Sequence, residues 1–115
     1  DPEKIIRTGL KSWVNAWQSR NVPLYLSFYS KAFKDHKRSR PKWEAYRRQS
    51  LNNSSNISIK ITDIKTQASN NMVIRVTFIQ RFKSDTISDI GMKELAWAKE
   101  DGNWKIIKET WKPQY

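Results

Sequence analysis

The sequence predicts an α+β fold in which helices come first and an antiparallel sheet follows. Apolar and aromatic residues recur at three- and four-residue steps through residues 2–51, which is typical of amphipathic helices. From residue 57 onward the period changes to two, as in half-buried strands. Two turn signals, Ser69-Asn70-Asn71 and Asp101-Gly102, divide the second half into neighbouring strands. We therefore expect three short helices that cover one face of a strongly bent four-stranded sheet.

The first half contains three predicted helices separated by two breaks. Asp1 can cap a helix over residues 2–19, with Pro2 at its first position. Asn21-Val22-Pro23 and Ser39-Arg40-Pro41 each end one helix and allow another to begin. The apolar positions of the first helix are Ile5, Ile6, Leu10, Trp13, Val14 and Trp17; those of the second are Leu24, Tyr25, Phe28 and Tyr29; and the third carries Trp43, Tyr46, Arg47 and Leu51.

The second half contains four predicted strands. A polar turn over residues 52–56 leads into a strand that begins at Ile57, and the next strands cover residues 72–83, 87–99 and 103–111. The inward face of the second strand is predicted to be Met72, Ile74, Val76, Phe78 and Phe82. Because each strand follows its neighbour through a short turn, the sheet should be an antiparallel meander.

Composition limits the classes of function. The 115 residues form one expected domain, 1–115, and its abrupt start at Asp1 suggests a domain of a longer protein. A net charge of +11 favours anionic partners: nucleic acid, lipid head groups or wall polymers. The absence of cysteine excludes disulfides, thiolate catalysis and cysteine-bound zinc, and with one histidine we expect neither metal nor cofactor. No apolar run reaches the length of a membrane span.

Three segments carry a resemblance to a known superfamily. They are WVNAWQSRNVPLYLSFYSKAF (13–33), RPKWEAYRRQSL (40–51) and FIQRFKSDTISDIGMKELAWAKEDGNWKIIKETW (78–111). With its order of elements, the chain resembles the nuclear transport factor 2-like superfamily, whose helices pack into a cone-shaped sheet. Within it, the chain is most similar to the domain that follows the catalytic module in bacterial envelope proteins related to L,D-transpeptidases and L,D-carboxypeptidases.

The resemblance implies an accessory role in the bacterial periplasm or cell envelope. Such a domain would bind or dock without catalysing, next to a module that modifies peptidoglycan. The partners implied are that neighbouring catalytic module or an anionic, peptidoglycan-like polymer. Superfamily members also pair through the open face of the sheet, so a homodimer is a further expectation.

A basic loop precedes the third predicted helix. Its members are Lys34, His36, Lys37, Arg38, Arg40 and Lys42. The alternatives are a solvated surface, a docking surface for an envelope polymer or partner protein, and charge-driven binding of nucleic acid, which we place last because no nucleic-acid-binding motif accompanies the charge. Asp35 precedes His36, as in some general-base pairs, but adjacent loop residues rarely point the same way. We therefore expect a solvent-exposed histidine and assign no catalytic residue.

A ligand-binding pocket or groove is predicted from aromatic and charged side chains. Sugar rings stack on aromatic rings, and arginine binds carboxylates. The predicted members are Tyr29, Trp43, Tyr46, Arg47, Arg81, Glu94 and Trp97, with Lys93 and Trp111 as further candidates. The alternatives are core packing for the aromatic residues and an ion pair of Arg81 with Glu94 or Glu109 across the sheet.

An enzymatic pocket is the second function considered. The superfamily includes ketosteroid isomerase and polyketide cyclases, and by resemblance Tyr29, Arg47 and Glu94 would serve such a pocket. Isomerase chemistry requires two converging acids. Asp89 and Glu94 have opposite parity on one strand and should face opposite ways, which argues against it.

Overall fold

A computed structural model describes residues 1–69 and 72–114. Its elements are the helices α1 (Pro2–Gln18), α2 (Val22–Ser27) and α3 (Arg40–Asn53), followed by the strands β1 (Ser58–Ala68), β2 (Val73–Lys83), β3 (Ser88–Glu100) and β4 (Asn103–Pro113). The strands form one antiparallel sheet in the order β1-β2-β3-β4. The predicted α+β fold is confirmed.

The helices begin where their capping residues predict. The Asp1 side chain accepts a hydrogen bond from the Glu3 amide at 3.1 Å, and Asn21 does the same for Leu24 at 3.3 Å. Ser39 occupies the corresponding position before α3, but its side chain makes no capping bond. Within residues 1–69 and 72–114, no helix has the length and apolarity needed to cross a membrane.

Some helices and strands differ from the predictions at their ends. α3 continues to Asn53, two residues into the predicted turn, and Met72 lies before β2 with 66% of its surface exposed. Gln80 is buried on the apolar face of β2. In the β3–β4 hairpin, Asp101 and Gly102 have φ angles of 52° and 82°, as the type I′ turn predicted by Asp-Gly requires. The predicted turn at Asn70-Asn71 lies outside the described residues.

An aromatic core fills the concave side of the sheet. The Trp13 ring lies 5.3 Å from Trp17 and 6.0 Å from Phe78, measured between ring centroids, and is fully buried. Ile5, expected on the same helix face, is instead 55% exposed. After α2, backbone hydrogen bonds between the chain around Tyr29 and Ile106 of β4 attach the helices to the sheet. This attachment holds the Tyr29 hydroxyl inside the concave face.

Candidate functional site

A cavity of about 460 Å³ lies between α3, the basic loop and the concave face of the sheet. Its lining residues are Trp17, Tyr25, Phe33, Asp35, His36, Trp43, Tyr46, Arg47, Lys93, Glu109, Thr110 and Trp111. A second cavity of about 340 Å³ shares Trp17, Tyr46, Arg47, Lys93 and Trp111 with the first. The basic side chains of Arg47 and Lys93 therefore contribute to both cavities.

A hydrogen-bond network centred on Glu109 forms the inner wall of the cavity. Lys93 Nζ donates to Glu109 Oε2 at 2.5 Å, and the Tyr29 hydroxyl donates to Glu109 Oε1 at 2.7 Å. Trp13 Nε1 donates to the Tyr29 hydroxyl at 3.1 Å, and the hydroxyls of Tyr25 and Tyr29 are 3.0 Å apart. Each carboxylate oxygen of Glu109 thus has a partner, as burial of a charged group requires.

Arg47 lies beside this network and is only partly engaged by it. Its Nε donates to the Tyr25 hydroxyl at 3.2 Å, and its guanidinium carbon is 5.3 Å from the Trp17 ring and 5.2 Å from the Tyr25 ring. Among the described residues, its two terminal nitrogens have no hydrogen-bond or ion-pair partner. A guanidinium in this position can donate two parallel hydrogen bonds to a carboxylate or phosphate.

The pKa values show which groups are fixed in one state. Burial alone would raise the pKa of the Glu109 carboxyl, but the Lys93 charge and the hydrogen bonds from Lys93 and Tyr29 outweigh it, so the pKa lies below its usual value. Burial and the neighbouring Glu109 charge raise the pKa of Tyr29 well above that of an ordinary tyrosine. Glu109 is therefore ionised and Tyr29 neutral near pH 7.

The cavity carboxylates are poorly placed for acid–base chemistry. Glu109 is held by Lys93 and Tyr29, and Asp35 accepts bonds from the amides of Lys37 and Arg38 and from Arg38 Nη1 at 3.0 Å. Near pH 7 a general base needs an available lone pair and a pKa close to neutrality. Within residues 1–69 and 72–114, no group of three histidine, aspartate or glutamate side chains could hold a metal ion.

The family model that matches the chain is the Cds6 C-terminal NTF2-like domain, over residues 5–110. The chain belongs to this family. Its NTF2-like fold is shared with Bd1075 of Bdellovibrio bacteriovorus, at a TM-score of 0.87 and 24% identity over 96% of this chain and 40% of that one. It is also shared with Pgp2, the helical cell shape determining protein of Campylobacter jejuni, at a TM-score of 0.73 and 24% identity over 88% of this chain and 38% of that one.

The domain thus spans about 40% of the length of each of these two proteins. A putative dehydratase of the NTF2-like family from Streptomyces avermitilis has a TM-score of 0.81 at 11% identity, with 97% of this chain and 96% of that one covered. At such identities the likenesses show the fold. No curated protein matches the sequence.

The NTF2-like domain brings together four of the predicted site residues. Trp43, Tyr46 and Arg47 line the first cavity, and Tyr29 lies behind them within the Glu109 network. Trp43 is 4% exposed and packs 4.6 Å from the Tyr29 ring, so it belongs to the core as well as to the cavity wall. The predicted solvent exposure of His36 is confirmed, and His36 also lines the mouth of the cavity.

The other three predicted members lie elsewhere. Arg81 and Glu94 point away from the helices, and Trp97 is buried against Gly9 of α1. The expected ion pair of Arg81 with Glu94 or Glu109 is wrong, because the β2–β3 register places Ile90 opposite Arg81. Glu94 instead approaches Arg75, with 3.8 Å between Nε and Oε2.

The basic loop divides into arginines that make contacts and lysines that are exposed. Arg38 pairs with Asp35 and stacks on Tyr46 with its guanidinium carbon 3.9 Å from the ring centre, and Arg40 pairs with Glu44 at 3.3 Å and donates to the Ser30 carbonyl. The lysines Lys34, Lys37 and Lys42 are exposed. The arginines therefore shape the cavity mouth, and the lysines add surface charge.

The further candidates Lys93 and Trp111 line the cavity, and three residues outside the predicted site, Trp17, Tyr25 and Glu109, are central to it. Tyr25 and Trp17 looked like ordinary core positions of two helices. Lys93 and Glu109 were weighed separately, without a link between them. One signal in the sequence pointed to the pair. Lys93 has the same parity as Leu95 and Trp97 and so lies on the inward face of its strand, where its positive charge needs an acidic partner.

Proposed function

We propose that this NTF2-like domain is a non-catalytic binding domain that holds an anionic envelope ligand in its aromatic cavity. The observation that carries the proposal is the end of the Arg47 guanidinium, which lies beside the rings of Trp17 and Tyr25 at the cavity wall and has no partner among residues 1–69 and 72–114. With Lys93 close by, the inner wall presents two basic side chains against the carboxylate of Glu109. Aromatic rings such as Trp111 and Tyr46 suit the apolar faces of sugars or peptide side chains.

The envelope assignment is supported by the family and the structural neighbours. Pgp2 is a determinant of helical cell shape, and the wall determines the shape of a bacterial cell. The domain would act beside a peptidoglycan-modifying module of the L,D-transpeptidase type, in the periplasm or envelope. That module, with its nucleophilic cysteine, would belong to a segment outside this chain.

A small-molecule enzyme is the second candidate. The likeness in fold to a putative dehydratase and the two buried tyrosine hydroxyls beside Glu109 favour it. The trio expected for such chemistry is not assembled, because Glu94 lies on the opposite side of the sheet from Tyr29 and Arg47. Glu109 occupies the position near Tyr29, but its ion pair with Lys93 restricts its use as a base.

The test is titration calorimetry with soluble peptidoglycan fragments that contain free carboxylates. Wild type should bind them, and Arg47→Gln should lose about tenfold or more in affinity, since a charge-assisted bidentate contact is worth roughly 1.5–3 kcal/mol. Circular dichroism verifies that the variant is folded. Fragments with amidated carboxylates should bind as weakly to wild type as the free acids bind to Arg47→Gln.

Arg48→Gln provides the matched control. Arg48 is the next residue of α3, is exposed, and pairs with Glu44 at 2.9 Å on the helix surface. Removing it changes the net charge by the same amount without touching the cavity. Equal affinities of the two variants for the fragments, or no binding by wild type, would contradict the proposed function.

A further inference from the structure

The face of the sheet that points away from the helices is strongly basic. We call it the outer face. It consists of Arg75, Thr77, Arg81 and the other residues of β2 with the same parity, together with the residues that pair with them across the sheet. Its basic residues, all exposed, are Lys60, Lys65, Arg75, Arg81, Lys83, Lys108 and Lys112. Near the centre of these positions the β2–β3 register places an acid, Glu94, which approaches Arg75. A large part of the excess charge of the chain thus lies on one surface, apart from the cavity.

Serines and threonines lie among the basic residues of this face, beside a small apolar group of Ile79, Ile90 and Met92. Ser58, Thr62, Thr77, Ser88 and Thr110 occupy alternate positions among the basic residues. Hydroxyl groups of this kind exchange hydrogen bonds with sugars and polyols as both donors and acceptors. The face therefore combines positive charge with groups suited to a hydroxylated ligand.

Two depressions on this face contain the basic groups. One, of about 510 Å³, has Lys60, Arg81 and Lys83 in its lining against the carboxylate of Asp89. The other, of about 320 Å³, has Lys65 and Arg75 against Glu94. Basic groups therefore outnumber acids in both. Along β2, Arg75 and Arg81 are separated by about 20 Å at the usual rise per residue. A linear chain that carries a negative charge on each unit can contact both depressions at once.

We propose that the outer face binds an anionic carbohydrate polymer. The binding energy would come from pairing of polymer carboxylates or phosphates with the lysines and arginines, with release of counterions. The serine and threonine hydroxyls would supply neutral hydrogen bonds to the sugar or polyol units. This surface is separate from the cavity, so the two could hold different parts of one envelope polymer.

A second copy of the chain fits this face less well, although the family resemblance implies pairing there. Two outer faces brought together would oppose lysines and arginines with lysines and arginines, and like charges across an interface cost several kcal/mol. The apolar side chains near the centre of the face are Met92, which is 50% exposed, and the half-buried Ile79 and Ile90. This small group, surrounded by basic residues, offers little apolar area for a stable dimer.

Nucleic acid and membrane are also less suitable occupants. Proteins that bind single-stranded nucleic acid stack bases on aromatic side chains. Among the described residues, the aromatic side chain that borders this surface is Phe82, which has the inward parity and reaches only the edge of the larger depression. The described part of the face thus has no row of rings on which successive bases could stack. An anionic bilayer would attract the same charges, but stable attachment also uses an apolar face or anchor that enters the lipid, and the hydroxyl groups of this surface suit sugars better.

The test measures binding of oligogalacturonate, a carbohydrate with one carboxylate on each unit and no bases. Lys60, Lys65, Lys108 and Lys112 are replaced together by glutamine, and the control replaces the equally exposed Lys4, Lys11, Lys34 and Lys37. Both variants have the same net charge. The outer-face variant should lose about tenfold or more in affinity, and its salt dependence should decrease by roughly 0.7 in log–log slope for each contact removed.

Each alternative occupant gives a distinct result. Equal losses in the two lysine variants would overturn the proposal, because binding would then follow total charge and not this face. Tighter binding of oligothymidine of equal charge, or of phosphatidylglycerol vesicles, would also overturn it. So would a wild-type dimer in sedimentation that dissociates in the outer-face variant. Arg47→Gln should bind oligogalacturonate at the outer face as wild type does, so failure of the cavity proposal leaves this result intact.

Discussion

Replacing Glu109 by glutamine removes the negative charge at the centre of the buried network. Lys93 would keep its position with 8% of its side chain exposed, but without the carboxylate that lies 2.5 Å from its ammonium group in wild type. The glutamine amide oxygen can accept a hydrogen bond from either Lys93 or Tyr29. If the oxygen faces Lys93, the amide NH2 group can donate to the Tyr29 hydroxyl, which then donates to Tyr25. In either orientation the Lys93 ammonium group loses the negative charge that compensates its burial.

The expected cost follows from burial and access to water. Breaking a buried ion pair by removing one partner costs about 3–5 kcal/mol. Because Glu109 and Lys93 line a cavity that admits water, part of this loss is recovered, and we expect about 2–3 kcal/mol. For a domain of this size, that lowers the melting temperature by about 10 °C.

Urea denaturation followed by circular dichroism at pH 7 measures the change, with an unchanged m-value as evidence that the denatured state is unaltered. The control is Glu94→Gln on the outer face, where the 3.8 Å contact with Arg75 involves side chains that are 30% and 52% exposed. Such a pair contributes less than about 1 kcal/mol. If Glu109→Gln costs no more than Glu94→Gln, the buried pair is solvated and the description of the network is wrong.

Four further predictions concern the titration of this network and two glycines of the sheet. The pKa of Glu109 is lower in the folded than in the unfolded state. Its contribution to the free energy of unfolding is therefore complete at pH values above the usual glutamate pKa, and it is lost as pH falls through the folded-state pKa. The difference in urea midpoint between wild type and Glu109→Gln should therefore shrink in acid, and a constant difference would contradict this. Because the pKa of Tyr29 is raised in the folded state, the free energy of unfolding should fall as pH rises above the usual tyrosine pKa. Tyr29→Phe should make this decrease with pH smaller in urea melts. An unchanged decrease would exclude Tyr29 as its source. Gly91→Ala places a Cβ against the backbone carbonyl oxygen of Lys112 and 2.6 Å from the Trp111 ring. Because the backbone of β4 must shift, the cost should lie at the upper end of about 1–3 kcal/mol. Gly102→Ala, in open space at φ 82°, should cost about 1 kcal/mol by the same assay, and a larger loss at Gly102 than at Gly91 would contradict both assignments.

The helices, strands and inward faces were predictable because burial imposes a period on the sequence. Trp13 and Trp17 repeat at helical spacing, and Val76 and Phe78 alternate with polar residues, so local pattern and final position agree. The failures occur at element ends. Ile5 and Met72 follow the apolar period of their segments, but no neighbouring helix or strand of the described residues covers them, so they are exposed. Which end of an element is covered depends on how the elements pack.

The candidate site was predictable only in part, because it depends on register. The β2–β3 turn occupies residues 84–87, which pairs Lys83 with Ser88 and therefore Arg81 with Ile90. Periodicity gave the face of Arg81 correctly but could not give its partner. The Lys93–Glu109 pair likewise depends on the β3–β4 register, which shifts at the bulge between Ala96 and Trp97.

Trp111 differs from most tryptophans of the chain in being accessible. Of the six tryptophans, Trp13, Trp17, Trp43 and Trp97 are each at most 7% exposed, whereas Trp111 is 37% exposed and lines both cavities. Its indole lies 5.6 Å from the Lys93 ammonium, a charge that quenches or shifts fluorescence when its distance changes. Trp17 and Trp43 also line the first cavity but are buried, so their emission is blue-shifted relative to that of an exposed indole. An occupant of the cavity should therefore be seen in the red-shifted component from Trp111, which gives the domain its own optical probe of occupancy.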